Sequence, residues 1–119
     1  MLVEAQDADG GFDPFYFNQG YPALKVGMTG LVTLALMSNA ERGVPGGVYR
    51  EKVGKAIAFL RASATPDYTF GKVSGFGDRD FEYTLFNHAV ATAALLEHHV
   101  LSGAKGCDPL LREALLKLS

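Results

Sequence analysis

The sequence predicts an all-α chain made of two tandem helical hairpins. Three observations carry that reading. Apolar residues recur at helical spacing through four stretches, and Gly- and Pro-rich segments separate those stretches. The order of mostly apolar helix, glycine-bearing loop and two-faced helix then occurs twice. With 119 residues, 48% of them hydrophobic, the chain is one domain with enough apolar content for a core. A net charge of −2 provides no basic stripe to displace counterions from phosphate, so no nucleic-acid partner is expected. No apolar run is long enough to span a membrane, and Met1–Glu4 is too short to open a signal peptide, so neither is expected. One cysteine excludes an internal disulfide framework and a multi-cysteine zinc site.

Gln6 to Pro22 has no sustained period. It is read as an ordered loop because Phe12, Phe15, Tyr16, Phe17 and Tyr21 are too aromatic for a solvated tail. The first helix, Lys25 to Arg42, is apolar on nearly every side and is therefore expected to be buried. The Gly43-Val44-Pro45-Gly46-Gly47 run stops it. The second, from about Tyr49 to Ala62, sets Val53, Ala56, Ile57 and Leu60 against Arg50, Glu51, Lys52 and Lys55, the pattern of a surface helix with one buried stripe. After the loop Asp67 to Asp80 comes a third helix, about Phe81 to Leu101, with Asp80 expected as its N-cap. Asp108-Pro109 opens the fourth, a capping carboxylate followed by proline at the first helical position.

Thr33-Leu34-Ala35-Leu36 aligns with Thr92-Ala93-Ala94-Leu95, and the Arg50–Lys55 segment with Arg112–Lys117. This gives one repeat over about 23–65 and another over about 81–119, with 1–22 as a loop belonging to a preceding repeat. Such units stack into an α-solenoid or a closed ring and need neighbours on both sides. The expected partner is therefore a further unit, met by self-association or in the remainder of a longer parent chain.

Two motifs bear on the choice between solenoid and ring. Lys55-Ala56-x-x-Phe59-Leu60 on a two-faced helix, and Gln6-x-x-Asp9-Gly10-Gly11-Phe12 before a mostly apolar one, resemble the two halves of the repeat signature of squalene cyclases and protein prenyltransferases. The stretch Leu85-Phe86-Asn87-His88 through Leu95, with Ser102-Gly103 and Leu111–Ala114, is similar to uncharacterised bacterial members of that repeat family, where an Asn-His pair opens an inner helix. The resemblance implies an arc of an α/α toroid with inner and outer helices. The chain departs from the family at Ala64-Thr65-Pro66, where the signature has Gln, and in having no Trp. Class II terpene cyclases protonate substrate with Asp-x-Asp-Asp, whereas this chain has Asp7-Ala8-Asp9-Gly10; no Asp/Cys/His zinc set can be assembled. The resemblance thus assigns no metal and no cofactor.

His88 and Asp9 are the candidates for proton transfer, and Phe12, Tyr16, Phe17, Asn87 and His88 are the candidates for binding an apolar small molecule. Aromatic faces hold isoprenoids and stabilise carbocations, while an Asn-His pair at an inner-helix end would add polar groups to the cavity. Alternatives stay open for each. His88 is either a cavity-lining acid/base group or a buried histidine bonded to a neighbouring carbonyl or to Thr84. Asp7, Asp9 and Asp13 either approach a Ca²⁺ loop or form a tight turn through local backbone bonds, and their spacing misses the Ca²⁺ pattern. The aromatics either line a pocket or plug the layer between helices. His98 and His99 are expected to interact favourably with the C-terminal helix dipole, and Cys107 is expected to be structural or incidental rather than a nucleophile. The expected function is a toroid repeat that binds a partner or apolar ligand in its concave face without catalysis of its own. The alternatives are part of an isoprenoid-handling enzyme, or a carbohydrate-active toroid drawing carboxylates from Asp67, Asp78, Asp80 and Glu82.

Overall fold

A computed structural model describes residues 6–12, 22–41, 46–103, 106 and 108–118. Their regular structure is helical: a 3₁₀ turn Pro22–Leu24, then α1 (Lys25–Glu41), α2 (Gly46–Ala62), α3 (Arg79–Leu101) and α4 (Pro109–Leu116). Among the described residues there are no strands, only two isolated antiparallel bridges, Gln6 with Phe12 and Ala64 with Phe70. The molecule is a slab of 44 × 36 × 20 Å.

Direction can be read from contacts. A methyl group placed on Gly27 of α1 would collide with Phe86 and Asn87 of α3, and one on Gly30 would collide with Val90. Contacts thus advance together along both helices, so α1 and α3 run parallel. The Lys25 ammonium at the start of α1 lies 5.4 Å from the centroid of the Phe59 ring near the end of α2, so α1 and α2 are antiparallel. In the same way Thr84 and Leu85 of α3 lie by Lys117 past the end of α4, while His99 lies by Asp108 at its start, so α3 and α4 are antiparallel. Glycines at 27 and 30 let the backbones of α1 and α3 approach closely, and a side chain at either would force them apart. The core lies between the layers: Val32, Leu36 and Met37 of α1, Val53, Ala56, Ile57 and Leu60 of α2, Ala91, Ala94 and Leu95 of α3, and Leu111 and Ala114 of α4. Phe12 and Phe70, from the two loops, are fully buried within it.

Several expectations change. α2 begins at Gly46, not Tyr49, because the first turn of a helix needs no intrahelical partner for its N–H groups and tolerates glycine. α1 is not buried all round, since Leu31 is 44% exposed and Ala35 is exposed. α3 begins at Arg79 with Asp78 at the cap position, and Asp80 lies inside the first turn. Asp80 instead accepts the Phe76 N–H at 2.8 Å through Oδ1, tying the preceding loop to the helix. Asp108 does cap α4, accepting the Leu110 N–H at 3.1 Å, with Pro109 following.

Candidate functional site

The polar centre of the molecule is a pair of loops closed in the same way. In the first, Asp7 N–H donates to Gly11 O (2.8 Å) and Gly10 N–H to Asp7 O (3.0 Å). In the second, Thr65 N–H donates to Thr69 O and Tyr68 N–H to Thr65 O, both at 2.9 Å. Each loop needs a residue in the left-handed region at the same place. Gly10 supplies it at φ 94° and Tyr68 at φ 66°, the latter with the strain a side chain brings. Each loop then ends on a buried phenylalanine whose N–H donates to the helix that follows it, α1 or α3. Phe12 N–H bonds Thr29 Oγ1 at 2.9 Å, and Phe70 N–H bonds His88 Nδ1 at 3.0 Å.

His88 is 4% exposed and both its ring nitrogens are engaged. Because Nδ1 accepts from Phe70, the ring proton sits on Nε2, which donates to Ala114 O at 2.9 Å. That carbonyl lies in the last turn of α4, where carbonyls lack intrahelical donors, so His88 also caps α4. Its ring stacks on Phe70, with centroids 5.5 Å apart and planes at 22°. Thr84, weighed as its partner, instead accepts Val73 N–H at 2.8 Å. The first loop reaches α2 differently: Gln6 Nε2 donates to Gly10 O (2.8 Å) and to Lys52 O of α2 (2.9 Å). Lys52 is the residue that aligns with Ala114.

Asn87 is fully buried and joins three segments. Its Oδ1 accepts Gly27 N–H at 2.9 Å, near the start of α1. Its Nδ2 donates to Ala23 O (2.8 Å) and Gly71 O (2.9 Å). Gly71 sits against it so closely that a Cβ there would lie 2.7 Å from the Asn87 Cβ.

Asp9 stands at the surface. Its Oδ1 accepts Gly11 N–H at 2.9 Å, and its Oδ2 pairs with Lys25 Nζ at 3.0 Å, which also reaches Asp7 Oδ2 at 3.0 Å. Desolvation pushes the Asp9 carboxyl upward, but the Gly11 N–H and the Lys25 ammonium outweigh it and hold it below its usual value. Desolvation lowers the Lys25 ammonium, while hydrogen bonds and charge from Asp7 and Asp9 raise it further. Asp67, in the matching place of the second loop, is held down to about 2, first by the Thr65 hydroxyl and, against slight desolvation, by Lys117. His98 is held below its usual value by desolvation and by the neighbouring His99, so burial works against the charge that a favourable dipole interaction would need.

The structure therefore brings Phe12, Asn87 and His88 into the buried framework and leaves Asp9 outside it. Tyr16 and Phe17, with Asp13, Phe15, Tyr21 and Cys107, lie outside the described residues. His88 borders a groove of about 190 Å³ between α3 and α4, with Thr84, Leu85, Phe81 and Lys117 beside it. A wider depression of about 430 Å³ lies beside His99, Asp108 and Arg112. Among the described residues no group of three or more His, Cys, Asp or Glu side chains is placed to hold a metal ion, and no helix is long and apolar enough to cross a membrane. Sequence reasoning missed Thr29. It precedes Thr33 by the same interval as His88 precedes Thr92, so the repeat alignment already contained the signal. No family model, curated protein or solved structure matches the chain.

Proposed function

We propose that this chain is an arc of a squalene cyclase/prenyltransferase-like α/α toroid that acts as a binding scaffold, holding an apolar ligand or partner against its concave face. One observation carries the reading: two parallel inner helices, each preceded by a loop with the same hydrogen bonds and each receiving the loop's terminal phenylalanine N–H on one side chain. Parallel inner helices set by equivalent loops are what a stacked hairpin repeat requires. A scaffold role is supported because the polar groups weighed for proton transfer are engaged otherwise. His88 has both nitrogens bonded to backbone, and Asp9 is paired with Lys25 at the surface. The ligand face is the side of α1 turned away from the core, where Leu31 stands exposed, together with the neighbouring side of α3.

The test is displacement of 1-anilinonaphthalene-8-sulfonate by farnesol, a fifteen-carbon isoprenoid alcohol. Saturable dye binding that farnesol displaces, and that Leu31→Asp weakens at least tenfold, is expected. Dye fluorescence that does not saturate, or that farnesol leaves unchanged, overturns the ligand reading.

A further inference from the structure

The α1–α3 contact contains both halves of an interface, and each half is matched by an exposed face on the other of these two helices. Val26, Gly30, Leu34 and Met37 follow one another at helical spacing on the side of α1 that meets α3. A Cβ on Gly30 would lie 2.8 Å from Val90 Cγ1, and the other three pack on the core. Aligning Thr33 with Thr92 carries these positions onto Leu85, Ala89, Ala93 and Leu96 of α3. There the same face is bare: Leu85 is 47% and Leu96 39% exposed, Ala93 is exposed, and Val100, 64% exposed, extends the stripe. The stripe positions themselves are uncharged, and the exposed Glu82 and Glu97 flank them.

The complementary face is also present twice. On α3 the side turned to α1 carries Asn87, Val90 and the fully buried Ala94. The aligned α1 residues are Met28, Leu31 and Ala35, of which Leu31 and Ala35 are exposed. Among the described residues, the chain thus joins one face to its complement internally and leaves a copy of each exposed.

We infer that a second copy of this chain covers the bare α3 stripe with its own α1, so that Ala35 of one copy meets Ala93 of the next and the α1–α3 contact is repeated between chains. A second copy is the occupant because the required complement is already on this chain, in the register the internal interface uses. The contact is head-to-tail, so it extends or closes into a ring rather than stopping at a symmetric dimer. The inference rests on the repeat reading above.

Sedimentation velocity over a concentration series tests it with Ala35→Arg and Ala93→Arg. Both positions are exposed on helices, where arginine is well tolerated, and circular dichroism verifies the fold. The wild-type chain is expected to associate with rising concentration, and each variant alone to stay monomeric. An equimolar mixture of the two is expected to form a dimer and stop, because Ala93→Arg keeps an intact α1 face and Ala35→Arg an intact α3 face. A monomeric wild type, a single variant that associates like wild type, or a mixture that stays monomeric overturns the inference. Ala35→Lys and Ala93→Lys give the same test should arginine impair folding. Because association between copies covers Leu31, the farnesol test is read on Ala93→Arg, which keeps its α1 face intact and uncovered. A monomeric wild type whose Ala93→Arg variant still exchanges dye for farnesol removes only the association, whereas an associating wild type whose Ala93→Arg variant is blind to farnesol removes only the ligand reading.

Discussion

His88→Ala removes two hydrogen bonds and one stacked ring at a single buried position. The Phe70 N–H and the Ala114 carbonyl both lose their partner in an interior that water does not readily reach. Each unmade buried bond costs about 1–3 kcal/mol, and the lost stacking on Phe70 adds to it. A destabilisation of about 2–5 kcal/mol is expected, a large part of the about 5–15 kcal/mol that a domain of this size has in total. Urea unfolding followed by far-UV circular dichroism measures it, with an unchanged m-value identifying a stability effect rather than a change in the unfolded state. His88→Thr refines the test. Threonine at this place can accept the Phe70 N–H as Thr29 accepts that of Phe12, but it cannot reach Ala114, so an intermediate loss of about 1–3 kcal/mol is expected. A His88→Ala chain within about 0.5 kcal/mol of wild type would refute the reasoning and return His88 to the role of a cavity-lining group.

Asn87→Leu, which strands the Gly27 N–H and two carbonyls, is expected to destabilise by about 2–4 kcal/mol in the same assay. Gly30→Ala should lower the melting temperature by forcing α1 from α3, whereas Gly54→Ala, on α2 with nothing near the new Cβ, should stabilise by about 0.5–1 kcal/mol. The Asp108 carboxyl is held below its usual value, first by the Arg61 hydrogen bond, with desolvation opposing and the Arg61 charge and two backbone N–H groups assisting. Its folded value thus lies below its unfolded value, so its contribution is complete above the unfolded value near 3.8 and disappears as pH falls through the lower folded value. Asp108→Asn should accordingly flatten the acid limb of a stability–pH curve and leave its slope above pH of about 6 unchanged.

The helices were legible because their signals are local. Val53, Ala56, Ile57 and Leu60 mark one face of α2, and Asp108-Pro109 opens α4 with a cap that the structure reproduces. The start of α2 was not legible, because Gly46 and Gly47 read as a stop although the first helical turn accepts them. At the candidate site, burial is among the sequence alternatives for His88 but not for Asn87, and the partners of both are hidden. Asn87 bonds residues 60 and 64 positions away, and His88 bonds a carbonyl 26 positions on. Those partners are backbone atoms, and every residue has a carbonyl, so no letter in the sequence marks the one that is used. The ion pair of Lys25 with Asp9 was hidden for a related reason: the loop must fold back across 16 residues before the charges meet.

The second loop shows why a motif can fail while its geometry survives. Ala64 stands where Gln6 does in the first loop, so the amide that ties Gln6 to the Lys52 carbonyl has no counterpart there. The α4 carbonyl at the matching position, that of Ala114, still needs a donor. It receives one from α3, because His88 is long enough to accept from Phe70 on one nitrogen and donate to Ala114 with the other. Thr29, in the equivalent place, is too short to span that gap and uses its own proton on Lys25 O at 2.7 Å. The pairs Gln6/Thr29 and Ala64/His88 are therefore two solutions to one requirement, a bridge from the loop to the first helix of its hairpin and on to the second. This makes a coupled prediction. Ala64→Gln should restore stability to His88→Thr by supplying the missing donor to Ala114, while adding little to the wild-type chain, where that carbonyl is already occupied. A double-mutant cycle in urea measures the coupling, and strict additivity of the two changes would show that the loops are alike in shape but not in how they hold α2 and α4.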